Sequence, residues 1–301
     1  MAWKGLHLSR PAYLHSERGS LSIEFRDGVE PEKFRIPLED IAWIVIDTPQ
    51  ITMNSSFLAR CSEEGVIIIG VDERHLPTWA SLPWTRLHRQ GEVLKLQLDS
   101  SLPLRKRLWQ EIVKLKLTAQ AASLTILGLS KAPHLAAMIQ AVRSGDPDNV
   151  EARAAAMYFK ELLPGRPFTR HSDDLPNHLL DYGYAIIRAA IARQLCAIGF
   201  IPQLGVHHCS LSNAYNLADD LIEPYRPFVD VLMVQVLDGR ASNADFVVDD
   251  RRKLVSLLDR EVVMNGEVHS LFNAISLSVA SLKTALKTED PKALTYPALT
   301  S

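Results

Sequence analysis

The sequence predicts an α+β protein of two domains, a small N-terminal β-sheet or sandwich domain followed by a larger all-α domain. Three observations predict it. Near the start, Leu21, Ile23 and Phe25 alternate with Ser22 and Glu24, the period of a half-buried strand. Two short apolar runs rich in β-branched residues, 41–46 and 66–71, read as strands buried on both faces. Beyond residue 100 the apolar spacing changes to three and four, at Leu104, Leu108, Ile112, Leu115 and Ala119, which is one face of a helix. Strands first and helices afterwards imply segregated regions, not an alternating α/β sheet.

The elements follow in order. The strand at 21–25 runs into Asp27-Gly28, a hairpin signal, and Phe34 and Ile36 alternate on the way back until Pro37 closes the run. Residues 55–64 have room for one short helix between the buried strands. The β domain is set at 1–82. Residues 83–100, with Pro83 and Gly91, form a linker that passes into a helical pattern. The helical domain is set at 101–301. Its helices are expected over 104–125, over 148–163 up to Pro164-Gly165, and over the long apolar stretch 175–200, with further patterns at 245–264 and 267–287. The tail from Asp290 carries Pro291 and Pro297 and is expected to be loosely held.

Composition narrows the function classes. The chain has 301 residues, 47% hydrophobic and 23% charged, ordinary for a folded protein and long enough for two cores. The opening residues lack the apolar stretch of a signal peptide. The apolar runs are short, 66–69 stopping at Gly70 and 41–46 at Asp47, far below the roughly 20 residues a membrane span needs. Three cysteines with no CxxC pair suit a reduced cytoplasm. The net charge of −2 runs against a nucleic-acid partner. Basic residues nevertheless cluster at Arg86, Arg89 and Lys95, at Arg105, Lys106, Arg107, Lys114 and Lys116, and at Arg251-Arg252-Lys253. Such surfaces serve phosphate or plain solvation equally.

Three residues are the candidate site: Glu151, His208 and Glu223. Two carboxylates and one imidazole make a hard, oxygen-rich donor set that suits Mg²⁺ or Mn²⁺ shared with substrate phosphates. If they converge, the chemistry is metal-assisted and fits a phosphodiester. Each residue also has a plain structural explanation. Asp148 as N-cap would make Glu151 the partner of a capping box. Against this, Glu151, Ala155, Tyr158 and Leu162 share a face that small alanines leave open as a crevice. His208 is one of ten histidines, with His207 as an alternative ligand, and the nearby Cys209 has no partner cluster that would make a zinc site. Asp219, Asp220 and Glu223 crowd one helix face, where like charges repel unless a cation intervenes. Arg226 could instead pair a solvated acidic helix end, and Pro224 disfavours helical geometry at Glu223.

Taken together, these segments resemble the CRISPR adaptation integrase family, subunit one of the CRISPR spacer-acquisition module. The likeness runs through residues 36–41, 51–55 and 65–69, the Glu151 segment, Leu180-Asp181-Tyr182-Gly183-Tyr184-Ala185, the 204–208 turn and residues 217–227. The Asp-Tyr-Gly-Tyr stretch and the double histidine are similar to the type II branch. The resemblance implies β domains that dimerise and a helical catalytic domain. It implies a small ferredoxin-like second adaptation subunit as partner, with the type II effector nuclease left open as another. It places metal ligands at Glu151, His208 and Glu223, with Asp220 matching an acidic position in parts of the family. The implied activity is a metal-dependent DNA integrase, which joins the 3′-hydroxyl of a short foreign duplex (the spacer precursor) to the repeat array by transesterification. No phosphate-binding GxxxxGK[ST] loop occurs, and transesterification needs none. A DNA endonuclease acting alone, a DNA-binding scaffold with a vestigial site and a small-molecule phosphatase are the rival readings.

Overall fold

A computed structural model describes residues 4–28, 32–73, 77–81, 90–165 and 168–300. Arg86, Arg89, Trp84 and the first part of the expected linker lie outside the described residues. The chain opens with β1 (Lys4–Leu8), β2 (Ala12–Glu17), β3 (Ser20–Phe25), β4 (Lys33–Pro37), β5 (Ile41–Ile46) and β6 (Ile51–Met53), then α1 (Ser55–Glu64), β7 (Ile67–Val71) and β8 (Pro77–Ala80). These form two four-stranded sheets, ordered β1-β5-β7-β8 and β4-β3-β2-β6.

The apolar runs do what their composition demands. Side chains alternate across a strand, so β5 and β7 serve two cores at once. Ile44, Ile46 and Ile68 meet Leu14, Leu21, Ile23 and Phe57 between the sheets. Trp43, Val45, Ile67 and Ile69 belong instead to the large core of the helical region. The β3–β4 pairing starts at Glu24 and Lys33, so their connection is longer than the tight turn that Asp27-Gly28 suggests. Asp27 is held there by Arg10, with two hydrogen bonds of 2.7 Å.

The helices follow as α2 (Gln90–Asp99), α3 (Leu102–Ile126), α4 (Ala132–Met138), α5 (Val150–Leu162), α6 (Leu175–Ile198), α7 (Asn216–Ile222), α8 (Arg226–Val236), α9 (Val248–Ser256) and α10 (Leu271–Thr288). The second half of the expected linker is thus helical, and Val93 is fully buried. Helix α3 starts where Ser101 accepts a hydrogen bond from the Leu104 N–H. It packs against α4, α5, α8 and the single turn at Glu223–Tyr225.

Two expectations need correction. The C-terminal region is not all-helical, because β9 (Glu261–Met264) and β10 (Glu267–Ser270) form an antiparallel ribbon. Asn265 and Gly266 turn it with φ of 54° and 84°, the left-handed pair that a two-residue hairpin needs. The tail is not loose. Leu294 and Leu299 are buried, the Ala298 N–H donates to Val263 O at 2.8 Å, and the Tyr296 hydroxyl donates to Leu221 O at 3.1 Å. Among the described residues no helix is long and apolar enough to cross a membrane.

Candidate active site

Glu151 stands in the first turn of α5, and its carboxylate is not spent on capping. Asp146 does that work, accepting the N–H groups of Val150 and Glu151 at 2.9 Å each. Asp148 is held by Arg143 at 2.7 Å, which removes the expected capping box. Tyr158 does not line a crevice either. It is wholly buried, donating to Asp230 at 2.9 Å and meeting the Ser123 hydroxyl at 3.0 Å.

The Glu151 carboxylate faces α3. The Lys116 ammonium lies 2.5 Å from Glu151 Oε1 and 2.5 Å from Glu223 Oε2. Lys116 is only 7% exposed and Glu223 only 6%. Arg226 donates to Glu223 Oε1 at 2.9 Å. The pairing of Glu223 with Arg226 therefore exists, but in the interior and not at a solvated helix end. Pro224 fails to unwind Glu223, whose φ and ψ of −53° and −45° stay helical as α7 passes into α8. Burial pushes the Glu223 carboxyl up, yet Arg226 and Lys116 outweigh it and hold it at about 2. Burial likewise pulls the Lys116 ammonium down, and Glu223 and Glu151 more than restore it.

His208 belongs to the irregular segment between α6 and α7. Gly199 ends α6 in the left-handed conformation. Gln97 of α2 then pins the loop, accepting from the Ile201 N–H at 2.8 Å and donating to Ile201 O and Leu204 O at 3.2 Å. Asn216 donates to Gln203 O and Ser210 O. Asp220 does most. Its wholly buried carboxylate accepts the N–H groups of Val206, His207 and His208 at 2.5, 3.1 and 3.0 Å, and meets His208 Nδ1 at 2.7 Å. In the neutral ring this assigns the proton to Nδ1 and leaves Nε2 as the free nitrogen. The hydrogen bond to Asp220 also raises the His208 pKa above its ordinary value, with smaller help from the charges of Glu223 and Asp219. His207 stacks on Trp109 of α3, with ring centroids 4.0 Å apart. A cavity of about 420 Å³ opens beside His208, lined in part by Arg105, Phe200, Leu204 and Cys209.

Of the three expected residues, Glu151 and Glu223 meet on one ammonium. His208 feels the charge of Glu223 but is turned onto Asp220 instead. Among the described residues no group of three His, Cys, Asp or Glu side chains is gathered closely enough to hold a metal ion. Asp220 supports the histidine, and Asp219 turns to Asn213 at 2.7 Å. Lys116 is the residue that charge counting hides. Grouped with a basic helix face, it actually falls four after Ile112 and three before Ala119, on the buried stripe. The 251–253 run divides too. Arg251 is buried on Asp47, while Arg252 and Lys253 are exposed.

Fold and site together define an α+β protein with a carboxylate pair bridged by a buried cation and a histidine oriented by a buried aspartate. The chain matches the family described as CRISPR associated protein Cas1 over residues 6–264, and it belongs to that family. It is 36% identical over 298 residues to the CRISPR-associated endonuclease Cas1 of Neisseria meningitidis serogroup C (strain 8013), covering 99% of this chain and 96% of that one. A casposase bound to integration product shares the fold with a TM-score of 0.77 at 20% identity, covering 95% of this chain and 91% of that one. A Cas6-RT-Cas1–Cas2 complex aligns with a TM-score of 0.73 at 16% identity, covering 99% of this chain and 36% of that one.

Proposed function

We propose that the chain is a metal-dependent DNA integrase of CRISPR adaptation, which joins the 3′-hydroxyl of a short foreign duplex to a repeat array by transesterification. The observation that carries this reading is the pair Glu151 and Glu223, turned onto one buried cation position. By donor type, two carboxylates and an imidazole suit a hard divalent ion. Glu223 Oε2 is turned away from Arg226 and faces the Lys116 ammonium at 2.5 Å. Glu151, Glu223 and His208 Nε2 would hold Mg²⁺ or Mn²⁺. A bound ion offsets charge on the scissile phosphate and orients its oxygens.

The chain's own side chains supply the rest. Asp220 keeps the proton on His208 Nδ1. Arg226 holds Glu223 Oε1 and so aims the other carboxylate oxygen. Arg105 lines the cavity beside His208 with its Nε buried and unpartnered, placed to meet a DNA phosphate. Exposed Lys106 and Arg107 extend that surface along the duplex backbone, so affinity falls as salt rises. One phosphodiester is exchanged for another, and no nucleotide is hydrolysed.

The same reading includes a β domain at 1–82 that dimerises, a catalytic domain at 101–301 and a cytoplasmic location. Its partners are double-stranded DNA and the small ferredoxin-like second subunit, with the type II effector nuclease as a further candidate. The casposase on its integration product and the complex with Cas2 support DNA and such a subunit as partners. The name endonuclease on the Neisseria relative favours a second reading, in which water replaces the 3′-hydroxyl.

The test incubates protein and second subunit with a 3′-hydroxyl duplex and a supercoiled repeat plasmid. Joined products are expected that vanish with a chelator, with a blocked 3′ end and with Glu151→Ala. Joined products that survive chelator or Glu151→Ala overturn the mechanism. Free ends without joined strands select the endonuclease.

A further inference from the structure

Lys116 has a role that neither the donor set nor the DNA surface explains. It is the single lysine on the buried stripe of α3, and its neighbours there include Gln120 and Ser123, also buried. Its ammonium has three donors, and two face carboxylates 2.5 Å away from different elements, α5 and the turn after α7. Among the described residues no other cation lies within 4 Å of Glu151. Arg226 covers only the far oxygen of Glu223. Without Lys116, two carboxylates would face each other at close range in a poorly solvated place, where like charges repel strongly.

Resting on the metal reading above, we propose that Lys116 is a positioning residue whose ammonium stands in for the divalent ion. It holds Glu151 and Glu223 on a common point until the ion displaces it. The two cations compete for the same oxygens, Glu151 Oε1 and Glu223 Oε2, so they exclude each other. The four-carbon stem of lysine lets the ammonium swing away while α3 stays packed. Two consequences follow. The ion-free site keeps its shape, because the carboxylates are never left uncompensated. The apparent affinity for the ion is lowered, because only the fraction of molecules with Lys116 withdrawn can accept it.

The test is Mn²⁺ binding to the full chain by calorimetry, comparing wild type with Lys116→Met, which keeps the length and removes the charge. If about one molecule in ten is open in the wild type, the variant binds Mn²⁺ roughly tenfold tighter. Its metal-free melting temperature falls, and saturating Mn²⁺ raises that temperature further than in the wild type. Unchanged or weaker Mn²⁺ binding by Lys116→Met overturns the proposal.

Glu151→Gln separates this failure from failure of the metal reading. If Glu151→Gln binds Mn²⁺ like the wild type, the metal reading fails and the lysine proposal falls with it. If Glu151→Gln loses binding while Lys116→Met changes nothing, only the lysine proposal fails. Should Lys116→Met not fold, Lys116→Gln replaces it. The side-chain ¹⁵N resonance of Lys116 in the wild type, followed through a Mg²⁺ titration, gives an independent reading. Movement of that resonance and loss of its protection support displacement. A resonance unchanged at saturation overturns it.

Discussion

At the residue scale, Asp220 gathers the histidine turn at 206–208. Its carboxylate accepts three backbone N–H groups and the His208 ring, all from residues 206–208. An amide in its place has one acceptor oxygen and turns two donors toward those N–H groups. Asp220→Asn is therefore expected to lose about 10–100-fold in Mn²⁺ affinity and DNA joining, the usual effect of removing a ligand's orienting partner. The loss of stability should be about 1–3 kcal/mol. Calorimetry and urea unfolding check the two parts, and unchanged Mn²⁺ affinity denies Asp220 its orienting role. Burial raises the Asp230 carboxyl to about 6 from an ordinary 3.8, although Tyr184 and Tyr158 donate to it. The folded state then binds more protons than the unfolded one between those values, so stability falls as pH climbs from about 4 to about 6 and levels off above. Glu223 acts oppositely. Held at about 2 against an ordinary 4.5, its contribution is present above 4.5 and is lost as pH falls toward about 2. Urea unfolding of metal-free protein should show both limbs. Asp230→Asn should remove the upper one and Glu223→Gln the lower one. Sequence spacing could mark Glu151, His208 and Glu223 by residue type. It could not separate Asp220 as a support, because acid type is the same whether the oxygens face N–H groups or a cation. Lys116 was concealed by its charge, which reads as surface until its place on the apolar stripe is weighed.

At the element scale, the segment between α6 and α7 has no regular structure of its own and is fixed from outside by Gln97, Asn216 and Asp220. Its tightest point is Gly205. A Cβ there would lie 2.2 Å from the His208 carbonyl oxygen and 2.8 Å from Asp220 Oδ2. Neither neighbour can yield, since the first is backbone and the second belongs to a carboxylate that holds four hydrogen bonds. Gly205→Ala is expected to displace His208, with joining activity reduced about a hundredfold, as a misplacement near 1 Å does. Steady-state kinetics checks this, alongside melting curves that should change far less than the activity. Helices were legible wherever the three-and-four spacing persisted, as in α3, α5 and α6. The ribbon of β9 and β10 was legible in principle from Asn265-Gly266, but the apolar residues flanking that turn also satisfy a helical spacing, which hides a short hairpin inside two helices. The tail was misjudged because two prolines forbid a helix without forbidding burial. Gly266→Ala should cost about 1 kcal/mol, the penalty of a left-handed turn residue gaining a Cβ, measured by urea unfolding.

At the scale of the whole molecule, the runs at 41–46 and 66–71 announced sheet faces that something must cover, and their residue types could not say what. One face is covered by the second sheet and the other by helices, with Trp43, Val45, Ile67 and Ile69 inside the same core as Tyr182 and Ile186. The contact is reinforced by charge. Arg251 of α9 donates to Asp47, just past β5, at 2.7 Å, with both side chains at most 5% exposed, and His7 of β1 meets the same carboxylate at 3.0 Å. A buried ion pair adds little net stability when formed, but breaking one side strands the other charge. Arg251→Met should therefore cost about 3–5 kcal/mol, whereas Asp47→Leu combined with Arg251→Met should recover most of it. Because that pair and the shared core join the β region to the helices, the loss should shift one unfolding transition and leave it single. Tryptophan fluorescence reports the sheet through Trp43 and the helices through Trp109, both 2% exposed. Far-ultraviolet dichroism follows the helices independently. Coincident curves by both probes in wild type and variant are the expected outcome. A first transition confined to the fluorescence of the β region would show that the two regions unfold independently, and the Arg251–Asp47 pair would then be a surface between units instead of part of one cooperative core.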